Sequence, residues 1–183
     1  NTFARKMETP KARAQYMWYN DEMPYTLENS IRADIAGQVL DMIYLKKIRE
    51  EASAAYSVSA IGRAQLREDK THSMMLYAVC PMKPEKRQEA VSILEQEVKD
   101  LANTCDASMV AKIKELMLKQ ADDAVKSNGY WYNVIEMYDK YGIDSHSDYK
   151  KLIEAQTPET ICSFMKEFNK NGNRLGVIML PAE

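Results

Sequence analysis

Two hydrophobic periods follow one another within the first fifty residues, and this switch limits the possible folds more than any other feature of the chain. Over Lys11 to Asn20 the period is two. Ala12, Ala14, Tyr16 and Trp18 alternate with Arg13, Gln15, Met17 and Tyr19, as the two faces of a strand require. Asp21 to Pro24 breaks the pattern. Leu27, Ile31, Ile35, Val39, Met42 and Ile43 then recur at three- and four-residue steps, the spacing of one helix face. Thr26 is placed to cap this helix, which the pattern carries to about Glu50. A strand running into a long amphipathic helix buries both apolar faces by laying the helix on a sheet. Gly37 inside the helix costs about 1 kcal/mol against Ala, so it implies close packing at that turn.

Two more strands are predicted, Ala54 to Ile61 and Thr71 to Cys80, joined as a hairpin through the charged stretch Arg63 to Lys70. In the first of them Tyr56, Val58 and Ala60 share a face. From Pro81 the pattern turns helical. Pro84 suits a first helical position, and Val91, Leu94, Val98 and Leu101 form an apolar stripe. Ser108 can cap the next helix, with Ile113, Met117 and Ala121 facing inward. Tyr130 to Tyr141 reads as an aromatic-rich helix ended by Gly142, and Asp148 to Ala155 as a short one. Thr157-Pro158-Glu159 opens a last helix with Ile161, Phe164, Met165 and Phe168 on one side, stopped at Gly172. Arg174 to Leu180 is too apolar for a solvated tail and predicts a strand inside the sheet. The order is strand, helix, strand, strand, helices, strand. It implies an α+β fold with one mainly antiparallel sheet covered by helices. With 183 residues, no repeat and no linker-like stretch, residues 1–183 are expected to form a single domain.

Composition removes several function classes. Hydrophobic residues at 45% and charged residues at 28% are globular values and argue against disorder. No apolar run approaches the ~20 residues of a membrane span. A net charge of -2 argues against the basic face that nucleic-acid binding needs. The opening Asn1 to Pro10 holds no basic leader before an apolar stretch. Cys80, Cys105 and Cys162 form no CxxC pair and read as small apolar side chains. His72 and His146 each lack a second ligand at metal spacing, which argues against a zinc site within the chain. Glu50-Glu51 and Asp122-Asp123 diverge on helix surfaces as solvated charge. Ser145, His146 and Asp148 crowd one loop and cannot align as a triad; there is no GxSxG elbow and no Gly-rich phosphate loop. Tyr130-Trp131-Tyr132 at helical spacing reads as packing rather than a ligand platform.

The segment Leu45 to Val58 stands apart. A helix ends in Arg49, a short turn follows, and a strand is predicted to begin with Tyr56. Read alone, Arg49 is a cation favoured at a helix C-terminus and Tyr56 an ordinary strand residue. The run nevertheless resembles the LREexgxaYsv stretch of the pitrilysin/insulinase family of zinc metallopeptidases, in a domain of theirs that binds no metal. Pro24-Tyr25-Thr26-Leu27-Glu28-Asn29, Pro84-Glu85-Lys86, Asn128-Gly129-Tyr130-Trp131, Thr157-Pro158-Glu159-Thr160-Ile161 and Asn173-Arg174 to Pro181 follow in the order such domains show. The resemblance covers nearly the whole chain. It departs at Ala52-Ser53-Ala54, where the family often has Gly, and the family unit can carry a further strand ahead of Asn1.

The resemblance implies a peptidase domain of the pitrilysin/insulinase and mitochondrial processing peptidase type, here the C-terminal, non-zinc domain of a larger multi-domain enzyme. Such a domain closes over a homologous one bearing HxxEH, and its Arg and Tyr hold the substrate carbonyl and the developing oxyanion. Carried over by position, those roles fall on Arg49 and Tyr56. No HxxEH occurs here, since His72 precedes Ser73-Met74-Met75 and His146 precedes Ser147-Asp148-Tyr149. By the same resemblance, the zinc and the general-base Glu belong to another domain, on the same or a partner chain. Zinc is then a cofactor of the parent metalloendopeptidase and not of this chain, which by itself is expected to be inactive. The implied partners are a peptide or unfolded polypeptide substrate and the HxxEH domain. The alternative is a catalytically silent homologue that builds an assembly, as core subunits of respiratory complexes do. The resemblance leaves bacterial periplasm and cytoplasm equally open.

Overall fold

The computed structural model describes residues 1–182. The strands are β1 (Thr2–Arg5), β2 (Ala12–Asn20), β3 (Ser59–Leu66), β4 (His72–Met82) and β5 (Asn173–Pro181). The helices are α1 (Leu27–Tyr44), α2 (Arg87–Asp100), α3 (Ala107–Ala124), α4 (Asn128–Tyr141), α5 (Tyr149–Glu154) and α6 (Pro158–Lys170). A π-helical segment, Leu45–Glu51, continues α1, and a 3-10 turn, Pro84–Lys86, leads into α2.

The five strands form one sheet in the order β1-β5-β2-β4-β3. The central β2 is antiparallel to both neighbours, β4 and β5, and β3 returns antiparallel on β4. Alternation in β2 is kept residue by residue: Ala12, Ala14, Tyr16 and Trp18 are buried, while Arg13 is exposed and Gln15, Met17 and Tyr19 are half-buried. The buried side joins Leu76, Ala78 and Cys80 of β4 and the inward faces of α1, α2, α3 and α6 in one contiguous core. The closing apolar run is a strand, as its composition required. It pairs with β2 from Arg13↔Met179 to Tyr19↔Asn173.

β1 had no sequence signature. All four of its residues are exposed, and it pairs parallel to β5, with the chain's first amino group donating to the Gly176 carbonyl at 2.9 Å. Its pairing rests on backbone, which hydrophobic periodicity does not report. The sheet is therefore mixed, with one parallel pair at an edge.

Gly37 does mark a close approach. A Cβ there would lie 1.9 Å from the Gly62 nitrogen, and one on Gly62 would lie 1.7 Å from the Ala33 carbonyl oxygen. The backbone of α1 thus rests directly on β3. Further along the helix, Asp41 Oδ1 accepts the Ala60 N–H at 2.8 Å.

Other boundaries differ from the sequence reading. The first hairpin strand is Ser59–Leu66, not Ala54 to Ile61, and the connection shrinks to residues 67–71, where Lys70 has φ 65°. Arg63 and Gln65 look like loop residues but occupy the exposed side of this edge strand, where charge is favoured. Asp106, not Ser108, caps α3, accepting the N–H groups of Ser108 and Met109 at 2.7 and 3.2 Å. Gly142 ends α4 at φ 68°, and Thr157 caps α6 in a reciprocal box with Thr160. All three cysteines are free. Burial pushes the Cys80 thiol up to about 11 and the Cys105 thiol to about 12, and raises Cys162 as well, so all three are poor nucleophiles at neutral pH. Among the described residues no helix is long and apolar enough to cross a membrane.

Candidate functional site

The site is built from the end of α1. Tyr44, the last residue of α1, is fully buried, and its hydroxyl donates to the Leu94 carbonyl of α2 at 2.8 Å, which ties this end of the helix to α2. Leu45–Glu51 then widens into a π-helix, closed by the Ala52 N–H donating to the Lys47 carbonyl at 3.0 Å. Segments of this kind are rare and frequently mark functional positions. Ile48, with no exposed surface, anchors the segment to the core. Lys47 reaches the largely buried Glu97 of α2 at 2.6 Å.

The chain reverses immediately afterwards. Ala54 N–H donates to the Ile48 carbonyl at 2.9 Å, and Ser53 between them takes the left-handed conformation, φ 49°. Left-handed backbone suits Gly, and this is the stretch where the resembling family often has one. The Lys83 N–H donates to the Ala54 carbonyl at 3.0 Å, and Ala55 bridges to Met82. The turn is therefore pinned to the end of β4 by backbone alone, with Ala54 and Val58 buried beneath it.

Arg49 and Tyr56 flank this pinned turn. Arg49 lies in the last turn of the π-helix with its side chain exposed, and the ion pair at this helix end is made by Lys47 instead. Tyr56 is 81% exposed. It does not begin a strand: it sits in a bend three residues before β3, and its exposure sets it apart from Val58 and Ala60, which are buried. The left-handed residue and the bridge to β4 use up the chain that the sequence reading gave to the strand. The hydrogen bond between Ile48 and Ala54 brings the two flanks of the turn together, and the guanidinium and the phenol carried on them are both open to solvent. Such donors suit a carbonyl oxygen that is gaining negative charge. Lys83 was not among the sequence candidates, yet its ammonium lies 6.0 Å from the centroid of the Tyr56 ring. The hydrogen bond to Ala54 and the bridge between Ala55 and Met82 place it there, and no local pattern announces either.

The described residues offer zinc no site. Among the described residues no three His, Cys, Asp or Glu side chains gather to hold a metal. His146 is engaged instead with the Tyr130 hydroxyl, 2.7 Å from its Nδ1.

Comparison with known proteins gives the chain its context. The profile of the family described as the peptidase M16 inactive domain matches residues 2–117. No curated protein matches the chain. Among solved structures the fold is similar to the periplasmic protease PqqL from Escherichia coli, with 22% identity, TM-score 0.77, and 99% of this chain covering 20% of that one. A mutant of the ferredoxin protease FusC, in complex with Arabidopsis ferredoxin, is similar at 20% identity and TM-score 0.76, with 100% of this chain on 20% of that one. Pitrilysin is similar at 13% identity and TM-score 0.63, with 98% of this chain on 19% of that one. The chain spans about a fifth of the length of each of these proteins.

Proposed function

The chain belongs to the family of peptidase M16 inactive domains, and from that premise we propose that it is the non-zinc half of a metalloendopeptidase active site. In this reading the chain is one domain of a larger protein, and the metal-bearing half lies on another domain. Arg49 and Tyr56 supply the contacts to substrate carbonyl and oxyanion. The observation that carries the reading is their setting: buried Ile48 and Ala54 anchor the turn in the core, while the Arg and the Tyr are left in solvent, where they contribute little to the fold.

Zinc on the other domain would supply the activated water. This chain's part is electrostatic. As the scissile carbonyl becomes tetrahedral, its oxygen gains charge, and the Tyr56 hydroxyl can donate to it without losing its own proton. The Arg49 guanidinium holds the neighbouring carbonyl of the peptide in its planar fork. Because the turn is already fixed, the donors need little reorganisation at the moment of reaction. With these donors and the metal on separate domains, catalysis requires closure around a polypeptide small or unfolded enough to be enclosed. That FusC was solved in complex with ferredoxin supports a polypeptide substrate class.

Arg49→Lys and Arg49→Ala in the longest natural polypeptide containing these residues test the reading. Arg49→Ala is expected to lower kcat/KM by roughly 100-fold or more with zinc content unchanged. Arg49→Lys is expected to recover only part of it, because an ammonium does not reproduce the fork. Near-normal turnover for Arg49→Ala would leave the domain a scaffold.

A further inference from the structure

Helix α4 is built unlike its neighbours. The long helices α1, α2, α3 and α6 each bury several residues, whereas α4, fourteen residues long, buries none. Tyr130, Val134, Met137 and Tyr141 are half-buried, and its other large side chains point outward. Tyr132, Ile135 and Tyr138, at i, i+3 and i+6, are 65%, 65% and 66% exposed, and Trp131 beside them is 40% exposed. What fixes the helix is polar and local. Trp131 Nε1 donates to the Val125 carbonyl at 2.9 Å, and the Tyr130 hydroxyl meets His146. A helix of this length is marginal in water without a packed face. Tyr and Trp are also the side chains that carry binding energy at protein interfaces.

A groove of about 410 Å³ runs between α4 and the loop after it. Val134, Ile135 and Tyr138 form its apolar part, and Asp139 and Asp144 stand at its rim. Glu136 is neutralised by Lys140 at 2.8 Å, but no Lys or Arg pairs with either Asp among the described residues. Hydrogen bonds from Ser147 and from the backbone of residues 146 and 147 hold the Asp144 carboxyl down at about 2, so it is charged at any physiological pH. The surface therefore suits apolar side chains flanked by Lys or Arg.

We infer that this face of α4 is the seat of a neighbouring domain of the same parent polypeptide, one presenting an apolar ridge edged with basic residues. The inference rests on the reading above only in that the chain is one domain of a longer protein. In PqqL, FusC and pitrilysin the matching unit is about a fifth of the chain, so most of each protein is available to pack around such a domain. A permanent intramolecular partner also accounts for a helix that leaves Tyr132, Ile135 and Tyr138 so exposed.

Hydrogen exchange on the 183-residue chain and on the longest natural polypeptide containing it tests this without substrate or turnover. Amides of residues 128–141 are expected to exchange at least roughly tenfold more slowly in the longer protein. Ile135→Glu with Tyr138→Glu should abolish that difference while leaving exchange in β2 and β4 unchanged, and Asp139→Lys should reduce it. Equal exchange in the two proteins would overturn the inference. So would protection of the short chain that grows with its concentration, which would assign the face to a second copy. Protection that Asp139→Lys strengthens would refute the basic partner. Since turnover is not read, failure here leaves the catalytic reading standing, and the reverse also holds.

Discussion

Ser53 occupies left-handed backbone at φ 49°, in the tightest part of the turn between Arg49 and Tyr56. That conformation costs a residue with a Cβ about 1–2 kcal/mol, and Gly avoids it at a smaller cost in unfolded-state entropy. Ser53→Gly is expected to stabilise the chain by about 0.5–1 kcal/mol, read as a rise of roughly 2–3 °C in Tm. A fall in Tm would mean that the Ser side chain supports the turn. Type and spacing alone did not single out the two candidate side chains, since Arg49 reads as a helix-end cation and Tyr56 as a strand residue; the resemblance of Leu45 to Val58 to the family stretch did. Their setting was not legible. Tyr56 reads as one of an alternating set with Val58 and Ala60, and only the hydrogen bonds from Ala54 to Ile48 and from Lys83 to Ala54 show that the strand starts later.

Gly37 and Gly62 set how closely α1 lies on β3. In an exposed helix Gly37→Ala would be favourable by about 1 kcal/mol, but here the added carbon would meet the backbone of Gly62. Backbone cannot rotate away as a side chain can, so overpacking should exceed the propensity gain and destabilise by about 2 kcal/mol net. Chemical denaturation would check this, and an unchanged midpoint would mean that α1 can lift off the sheet freely. At this scale the sequence was informative wherever burial is one-sided. The period of β2 matches the structure because that strand buries one face, and the stripe residues Ile31, Ile35 and Val39 of α1 are buried as well. It was uninformative where backbone does the work, as in β1, or where an edge strand carries outward charges, as at Arg63 in β3. The π-helical widening after Tyr44 left no periodic trace in seven residues.

Across the whole molecule β5 is the strand that joins the parts, lying between β1 and the central β2. A chain ended at Gly172 would strand β1, open an edge of β2 and remove Ile178 and Leu180 from their packing against the core. Such a truncation is expected to lose cooperative thermal unfolding, which circular dichroism would report; a retained sharp transition would show that the sheet closes without it. Elemental analysis after dialysis is expected to find no stoichiometric zinc on the 183-residue chain, in keeping with its donor set. About one tightly held zinc per chain would contradict the division of labour between domains. That division is tested most directly by Tyr56→Phe in the longest natural polypeptide carrying this domain. The change removes one hydroxyl from a side chain that is 81% exposed, so stability and zinc content are expected to stay as they were. Peptide turnover is expected to fall by roughly 100-fold or more. Turnover within about twofold of the unmodified protein, with zinc retained, would contradict the assignment of Tyr56 to the oxyanion.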